Sequence, residues 1–144
     1  MGITFDYIKH AISKFLHLRW LREDFRLLDY SKINPEKTLI FDVDCTILIA
    51  KNRDYVNAKP IEPMIKKINK LHSFGWTIIL YTARGQLSKN GNMRLIEEQN
   101  RPVLEDWLQR HNVSYDYLIF YKPYGAYYID DKALTPWQFL RTKF

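Results

Sequence analysis

The stretch that most constrains the fold is TLIFDVDCT, residues 38–46. Residues 38–43 are rich in β-branched and aromatic side chains and too few for a typical helix, so they predict a buried parallel strand. Asp42 and Asp44 then lie at its carboxyl end, where open α/β sheets bind their ligands. Two carboxylates at the same end of a strand repel each other and need a cation, a shared proton or water. The structural alternative is an Asx turn that only caps the following backbone.

Length, composition and charge narrow the class of protein further. The chain has 144 residues, of which 47% are hydrophobic and 26% are charged, as expected for one globular domain with a good core. A net charge of +6 favours phosphate-bearing or other anionic partners, although solvated surface lysines explain it equally well. The single cysteine excludes an internal disulfide, and no apolar run is long enough to span a membrane. We therefore expect a cytoplasmic protein.

Residues 1–33 form a predicted helical extension. Apolar side chains recur at helical spacing from Phe5 to Leu28, and basic residues lie on the opposite side. A membrane-surface or partner-binding role is conceivable, but the excess of basic over acidic residues is too small for a polybasic anchor. We expect this segment to pack on a core domain that spans residues 34–144.

The residues after the motif predict a flap, a crossover helix and a second strand. Residues 47–50 and 55–56 suggest a small hairpin over the site, followed by a linker at residues 58–63. An apolar stripe from Met64 to Phe74 predicts a helix that stops at Gly75. Trp76–Tyr81 is then a second buried strand, parallel to the first.

The remainder of the chain continues the alternation of helices and strands. Residues 93–111 predict a helix that Pro102 splits or kinks, and short strands are expected at 117–120 and 126–129. Thr135 and Pro136 open a last helix as N-cap and first helical residue. The fold class is thus α/β, a Rossmann-like three-layer arrangement around a parallel sheet, with no room for a large cap domain.

Four polar signals follow the predicted strands and meet at one edge of this sheet. They are Asp42 with Asp44 and Thr46, then Thr82, Lys122, and the pair Asp130 and Asp131. Each of these residues alone could have a purely structural role in a turn or as a helix cap. Together they supply a nucleophilic carboxylate, a second carboxylate for proton transfer, donors for phosphoryl oxygens, and ligands for a hard divalent cation. Phosphoryl transfer needs this set.

With these motifs in order, the sequence resembles the haloacid dehalogenase (HAD) superfamily of phosphatases over about residues 37–135. DVDCT looks like the first motif, Thr82 in YTAR the second, Lys122 in YKP the third, and YIDDKA the fourth. More loosely, the chain is similar to small bacterial phosphatases of capsule or surface-polysaccharide biosynthesis. Cys45 departs from the pattern, because the family usually has glycine there, and a side chain would crowd a turn of positive φ.

The resemblance implies a mechanism and a set of roles. Asp42 would attack phosphorus and form an aspartyl phosphate, and Asp44 would act as acid and then base, which requires a raised pKa. Thr82 and Lys122 would hold the phosphoryl oxygens, and Arg84 would contact the substrate. Mg²⁺ would be bound by Asp42, the Asp44 carbonyl and Asp130, with Asp131 direct or through water.

Substrate and partners remain open at this stage. The resemblance favours a sugar phosphate, and an uncapped site would admit a larger substrate or be closed by a neighbouring subunit in a homo-oligomer. A polynucleotide 3′-phosphatase fits the basic charge but lacks a basic-aromatic stripe. A phospho-receiver module is disfavoured because its lysine comes last, whereas here Lys122 precedes Asp130. A catalytically silent binding subunit is the third possibility.

Overall fold

The computed structural model describes residues 28–144. The chain divides into two compact units, Met1–Ile33 and Asn34–Phe144. The predicted helix at residues 5–28 lies outside the described residues, except for Leu28. Of the first unit only its last residues are described, where the Asp29 carboxylate accepts a 2.6 Å hydrogen bond from the Ser31 hydroxyl.

A three-stranded parallel sheet organises the second unit. Its strands are β1 (Thr38–Phe41), β4 (Thr77–Tyr81) and β5 (Tyr117–Ile119), in the order β1, β4, β5. These are three of the four predicted parallel strands. The predicted fourth strand, residues 126–129, is wrong for the described chain, because those residues pair with no strand and Ile129 is 96% exposed.

The flap exists, but its second strand was wrongly placed. Strand β2 (Leu48–Ile49) pairs antiparallel with β3 (Lys59–Pro60), which lies within the predicted linker, and not with residues 55–56. The hairpin is joined to the loop after β1 because the Ile61 N–H donates to the Ile47 carbonyl oxygen at 2.8 Å. Its tip is a 3₁₀ turn at Lys51–Arg53. The base of the hairpin is therefore fixed to the loop that carries Asp42 and Asp44.

The second unit contains four α-helices. Helix α1 (Glu62–Ser73) begins with a proline in its first turn and is capped by Phe74, and the next residue, Gly75, has a φ of +89° in the left-handed region. The predicted apolar stripe is buried except for Phe74, which is 62% exposed. The helix predicted at 93–111 is split, as expected, into α2 (Met93–Gln99) and α3 (Arg101–Arg110), and α4 is Pro136–Arg141.

The break between α2 and α3 lies at Asn100 rather than at Pro102. Pro102 is in the first turn of α3, where the missing N–H costs no hydrogen bond, so the helix restarts before it. Glu97 of α2 is 3% exposed and is bound by the Arg101 guanidinium, which also donates to the Leu118 carbonyl oxygen at 2.9 Å. This ion pair between the buried Glu97 and the half-buried Arg101 joins both helices to β5.

The core is one continuous cluster between the sheet and the helices. It includes Phe41, Ile68, Leu80, Trp107 and Phe120, and the Trp107 indole N–H donates to the Ala58 carbonyl oxygen at 2.9 Å. Helix α4 is tied to α1 because the Lys67 ammonium donates to carbonyl oxygens at its carboxyl end. Among the described residues, no helix has the length and apolarity required to cross a bilayer.

Candidate active site

The carboxyl edge of the sheet brings the first three motifs together. Asp42 and Asp44 follow β1, Thr82 follows β4 directly, and Lys122 lies shortly after β5. All of them line one cavity of about 510 Å³, together with the flap residues Arg53 and Tyr55. Because neighbouring parallel strands end at the same edge, residues 40 and 80 positions apart in the chain share one site.

The loop after β1 fixes the two aspartates. The Val43 carbonyl oxygen accepts from the N–H groups of Thr46 and Ile47, at 3.1 and 2.9 Å, and Val43 itself is fully buried. Cys45 sits at the apex of this loop with φ of +64°, and its N–H donates to the Leu48 carbonyl oxygen at 2.8 Å. The turn therefore requires the positive φ that made Cys45 notable in the sequence.

Asp42 is paired with the ammonium group of Lys122. Lys122 Nζ lies 3.0 Å from Asp42 Oδ1, and the Lys122 side chain is only 14% exposed. The ammonium also lies 4.3 Å from the centre of the Tyr128 ring, a cation–π distance. The Thr46 hydroxyl lies 3.4 Å from Asp42 Oδ2, a long contact on the other oxygen. The ammonium therefore offsets the negative charge of Asp42 at the cavity wall.

Arg84 donates hydrogen bonds to both carboxylate oxygens of Asp44. Arg84 Nη2 lies 2.8 Å from Asp44 Oδ1, and Arg84 Nε lies 3.2 Å from Asp44 Oδ2. The guanidinium is almost fully buried and stacks over the ring of Tyr55 at 4.1 Å. This fork fixes the orientation of the carboxylate in a way that a lysine could not.

Thr82 presents a buried hydroxyl to the cavity. Its Oγ1 accepts a 3.0 Å hydrogen bond from the Arg84 N–H, which leaves the hydroxyl proton to be donated to a ligand. Its own N–H donates to the Ile119 carbonyl oxygen at 2.9 Å, so β5 holds it in place. A neutral donor beside Asp42 and Lys122 suits a phosphoryl oxygen.

The cavity wall contains two buried polar atoms that have no hydrogen-bond partner among the described residues. They are Arg84 Nη1 and Asn100 Oδ1. Gly85, the residue after Arg84, has φ of +84°, and a Cβ at this position would come within 2.6 Å of Asn100 Oδ1. The sequence did not single out Asn100 or Tyr55, since neither belongs to a recognisable motif.

The structure does not bring Asp130 and Asp131 to the rest of the predicted site. Both are exposed, neither lines the cavity, and the Asp130 carboxylate instead accepts from the Lys132 N–H at 2.9 Å. Within the described part of the chain, no three acidic, histidine or cysteine side chains are placed to hold a metal ion. Two carboxylates, each already paired with a cationic side chain, do not fit Mg²⁺, which needs near-octahedral oxygen ligands.

Comparison with known proteins gives one informative match. The chain aligns with a crystal structure of a structural-genomics target from Vibrio cholerae at a TM-score of 0.72 and 34% identity, which covers 74% of this chain and 89% of the other. The chain belongs to the same family as this Vibrio cholerae protein. The Vibrio cholerae relative confirms the α/β fold with its parallel sheet. No family model and no curated protein matches the chain.

Proposed function

We propose that the protein is a phosphomonoesterase that works through an aspartyl phosphate on Asp42. The observation that supports this most is the Asp42 carboxylate at the mouth of the cavity, 3.0 Å from Lys122 Nζ. A carboxylate beside an ammonium and a buried hydroxyl can receive a phosphoryl group, because the cation offsets the negative charge of both partners. A solvated strand end would not need a lysine whose side chain is only 14% exposed.

The chemistry follows from the roles of the two carboxylates. An Asp42 oxygen attacks phosphorus, the bond between phosphorus and the leaving oxygen breaks, and protonated Asp44 gives its proton to that oxygen. Asp44 then takes a proton from water, whose oxygen attacks the phosphorus of the intermediate. Inorganic phosphate leaves and the Asp42 carboxylate is restored. Asp44 must loosen its contact with Arg84 to exchange protons in both steps.

The size of the cavity favours a small substrate. We propose that this substrate is a sugar phosphate or a related metabolite of surface-polysaccharide synthesis in the cytoplasm. A volume of about 510 Å³ lies in the range of small-molecule sites. The flap residue Tyr55 and the turn residue Tyr124 line the same cavity and would offer hydroxyl and ring surfaces to the substrate. The basic rim residues Arg53 and Lys89 would attract the anion.

The deciding experiment is a phosphatase screen in Mg²⁺ over sugar phosphates, nucleotides and oligonucleotides with phosphorylated ends. We expect the best turnover on a sugar phosphate and none with Asp42→Asn, whereas Asp106→Asn should match the wild type. Asp106 is a suitable control because it lies on the outer face of α3, paired with Arg110 at 2.8 Å. Full activity of Asp42→Asn would contradict the proposal, and a preference for oligonucleotides would reassign the substrate.

A further inference from the structure

Tyr55, a residue of the flap, stacks on a buried cation. The centre of its ring lies 4.1 Å from Arg84 Cζ, the Arg84 side chain is 1% exposed, and both residues line the cavity. The face of an aromatic ring attracts a cation, and more strongly where water is excluded. This contact therefore joins the flap to the loop after β4.

The Arg84 guanidinium makes hydrogen bonds to a single residue. Within the described residues, Nε and Nη2 both donate to the Asp44 carboxylate, and the buried Nη1 has no acceptor. This fork orients the guanidinium and the carboxylate relative to each other. Of the directional contacts between described side chains, only the stacking on Tyr55 ties the guanidinium to a further part of the chain.

Tyr55 is well placed to hold Arg84, because the chain around it is itself fixed. The Asp54 carboxylate accepts hydrogen bonds from the Asn57 N–H and Nδ2, at 3.2 and 2.9 Å, which closes the turn that carries Tyr55. The next residue, Ala58, accepts a hydrogen bond from the buried Trp107 indole of α3 through its carbonyl oxygen. A ring carried on a fixed turn loses little further freedom when it packs against a cation.

A fixed guanidinium matters for the proton transfers that Asp44 carries out in the proposed reaction. Asp44 has to leave Arg84 to give its proton to the leaving oxygen and later to take one from water. A guanidinium that was free to turn would follow the carboxylate and keep both hydrogen bonds. Asp44 would then stay on Arg84 instead of reaching the substrate, and a misplaced catalytic group slows the chemical step.

We propose that Tyr55 is a positioning residue for this reaction. Its ring holds the Arg84 guanidinium in place, so that Asp44 alone moves between Arg84 and the substrate. The ring face carries this role, because it is the ring that contacts the cation. The kinetic consequence rests on the proposed function. The hold of Tyr55 on Arg84 rests on the geometry of the flap and the cavity alone.

The first test measures the freedom of the Arg84 side chain and needs no substrate. In the full-length protein, NMR follows the exchange of the Arg84 Nε proton with solvent, and Arg84→Lys identifies the signal by its loss. We expect Tyr55→Leu to speed this exchange about tenfold or more, because the cation–π contact is lost, and Tyr55→Phe, which keeps the ring, to stay within about twofold of the wild type. Tyr127→Leu is the matched control, because Tyr127 is 85% exposed and lies outside the cavity lining. An exchange rate that Tyr55→Leu leaves unchanged would overturn the positioning role, whether or not the protein is a phosphatase.

The second test compares the steady-state kinetics of the same variants on the best phosphoester. Tyr55→Leu should lower kcat about tenfold or more and change KM by a smaller factor, and Tyr55→Phe should restore most of kcat. In an Arg84→Met background, which has no guanidinium to hold, Tyr55→Leu should lower kcat by less than about threefold. Equal losses of kcat in both backgrounds would refute action through Arg84. An inactive wild type would count against the proposed function, and the proton exchange would still decide whether Tyr55 holds Arg84.

Discussion

Replacing Cys45 by glycine should stabilise the protein. Cys45 has φ of +64°, in the region where a Cβ atom approaches the neighbouring carbonyl oxygen, at a cost of about 1–2 kcal/mol for most residues. Glycine removes that strain but loses more conformational entropy on folding, about 0.5–1 kcal/mol. Since the Cys45 side chain is exposed, no buried contact is lost with it. The expected net gain is about 0.5–1 kcal/mol.

Thermal and urea unfolding of the wild type, Cys45→Gly and Cys45→Ala measure this gain. For a chain of this size the gain corresponds to a rise in Tm of about 2–4 °C. Cys45→Ala is the matched control, because it removes the thiol and keeps the Cβ, so its stability should stay within about 0.5 kcal/mol of the wild type. Equal stability of the glycine and alanine variants would show that the positive φ carries no strain and would refute the reasoning.

Three further predictions concern the surroundings of the site. Arg84→Lys should lower kcat at least about tenfold, because a lysine cannot hold both Asp44 oxygens. Steady-state kinetics measures kcat, and circular dichroism checks that the fold is intact. An unchanged kcat would contradict a positioning role for Arg84. Glu97→Ala should lower the free energy of unfolding in urea by about 2 kcal/mol or more, because it leaves the half-buried Arg101 without its main partner. A loss below about 0.5 kcal/mol would show that the ion pair is dispensable. Gly85→Ala should destabilise by about 1–3 kcal/mol, through its φ of +84° and the close approach to Asn100, whereas Gly125→Ala, with 3.8 Å to its nearest neighbour, should be neutral.

The parts of the fold that depend on local pattern could be predicted from the sequence. Short apolar runs predicted the strands β1, β4 and β5, and apolar residues at helical spacing predicted α1. Thr135 and Pro136 open α4 as expected, with Gln138 completing a capping box. At the site, the motif order placed Asp42, Thr82 and Lys122 correctly at one edge, because parallel strands end together.

Features that depend on distant partners could not be predicted. Residues 126–129 have the composition of a strand, but a strand also needs a neighbour to pair with, and composition does not show whether one exists. The pairing of Arg84 with Asp44 joins residues 40 positions apart, so no local pattern indicates it. The same holds for β3, which the sequence presented as a proline-rich linker.

The central claim is that Asp42 carries the phosphoryl group during turnover. The most direct measurement is rapid acid quenching of the enzyme with its best phosphoester, followed by peptide mass spectrometry. We predict a phosphorylated peptide containing Asp42 that hydroxylamine cleaves to the unmodified state or hydroxamate, as expected for an acyl phosphate, and that is missing in Asp42→Asn. Turnover with no such adduct, or an adduct that persists in Asp42→Asn, would contradict the account.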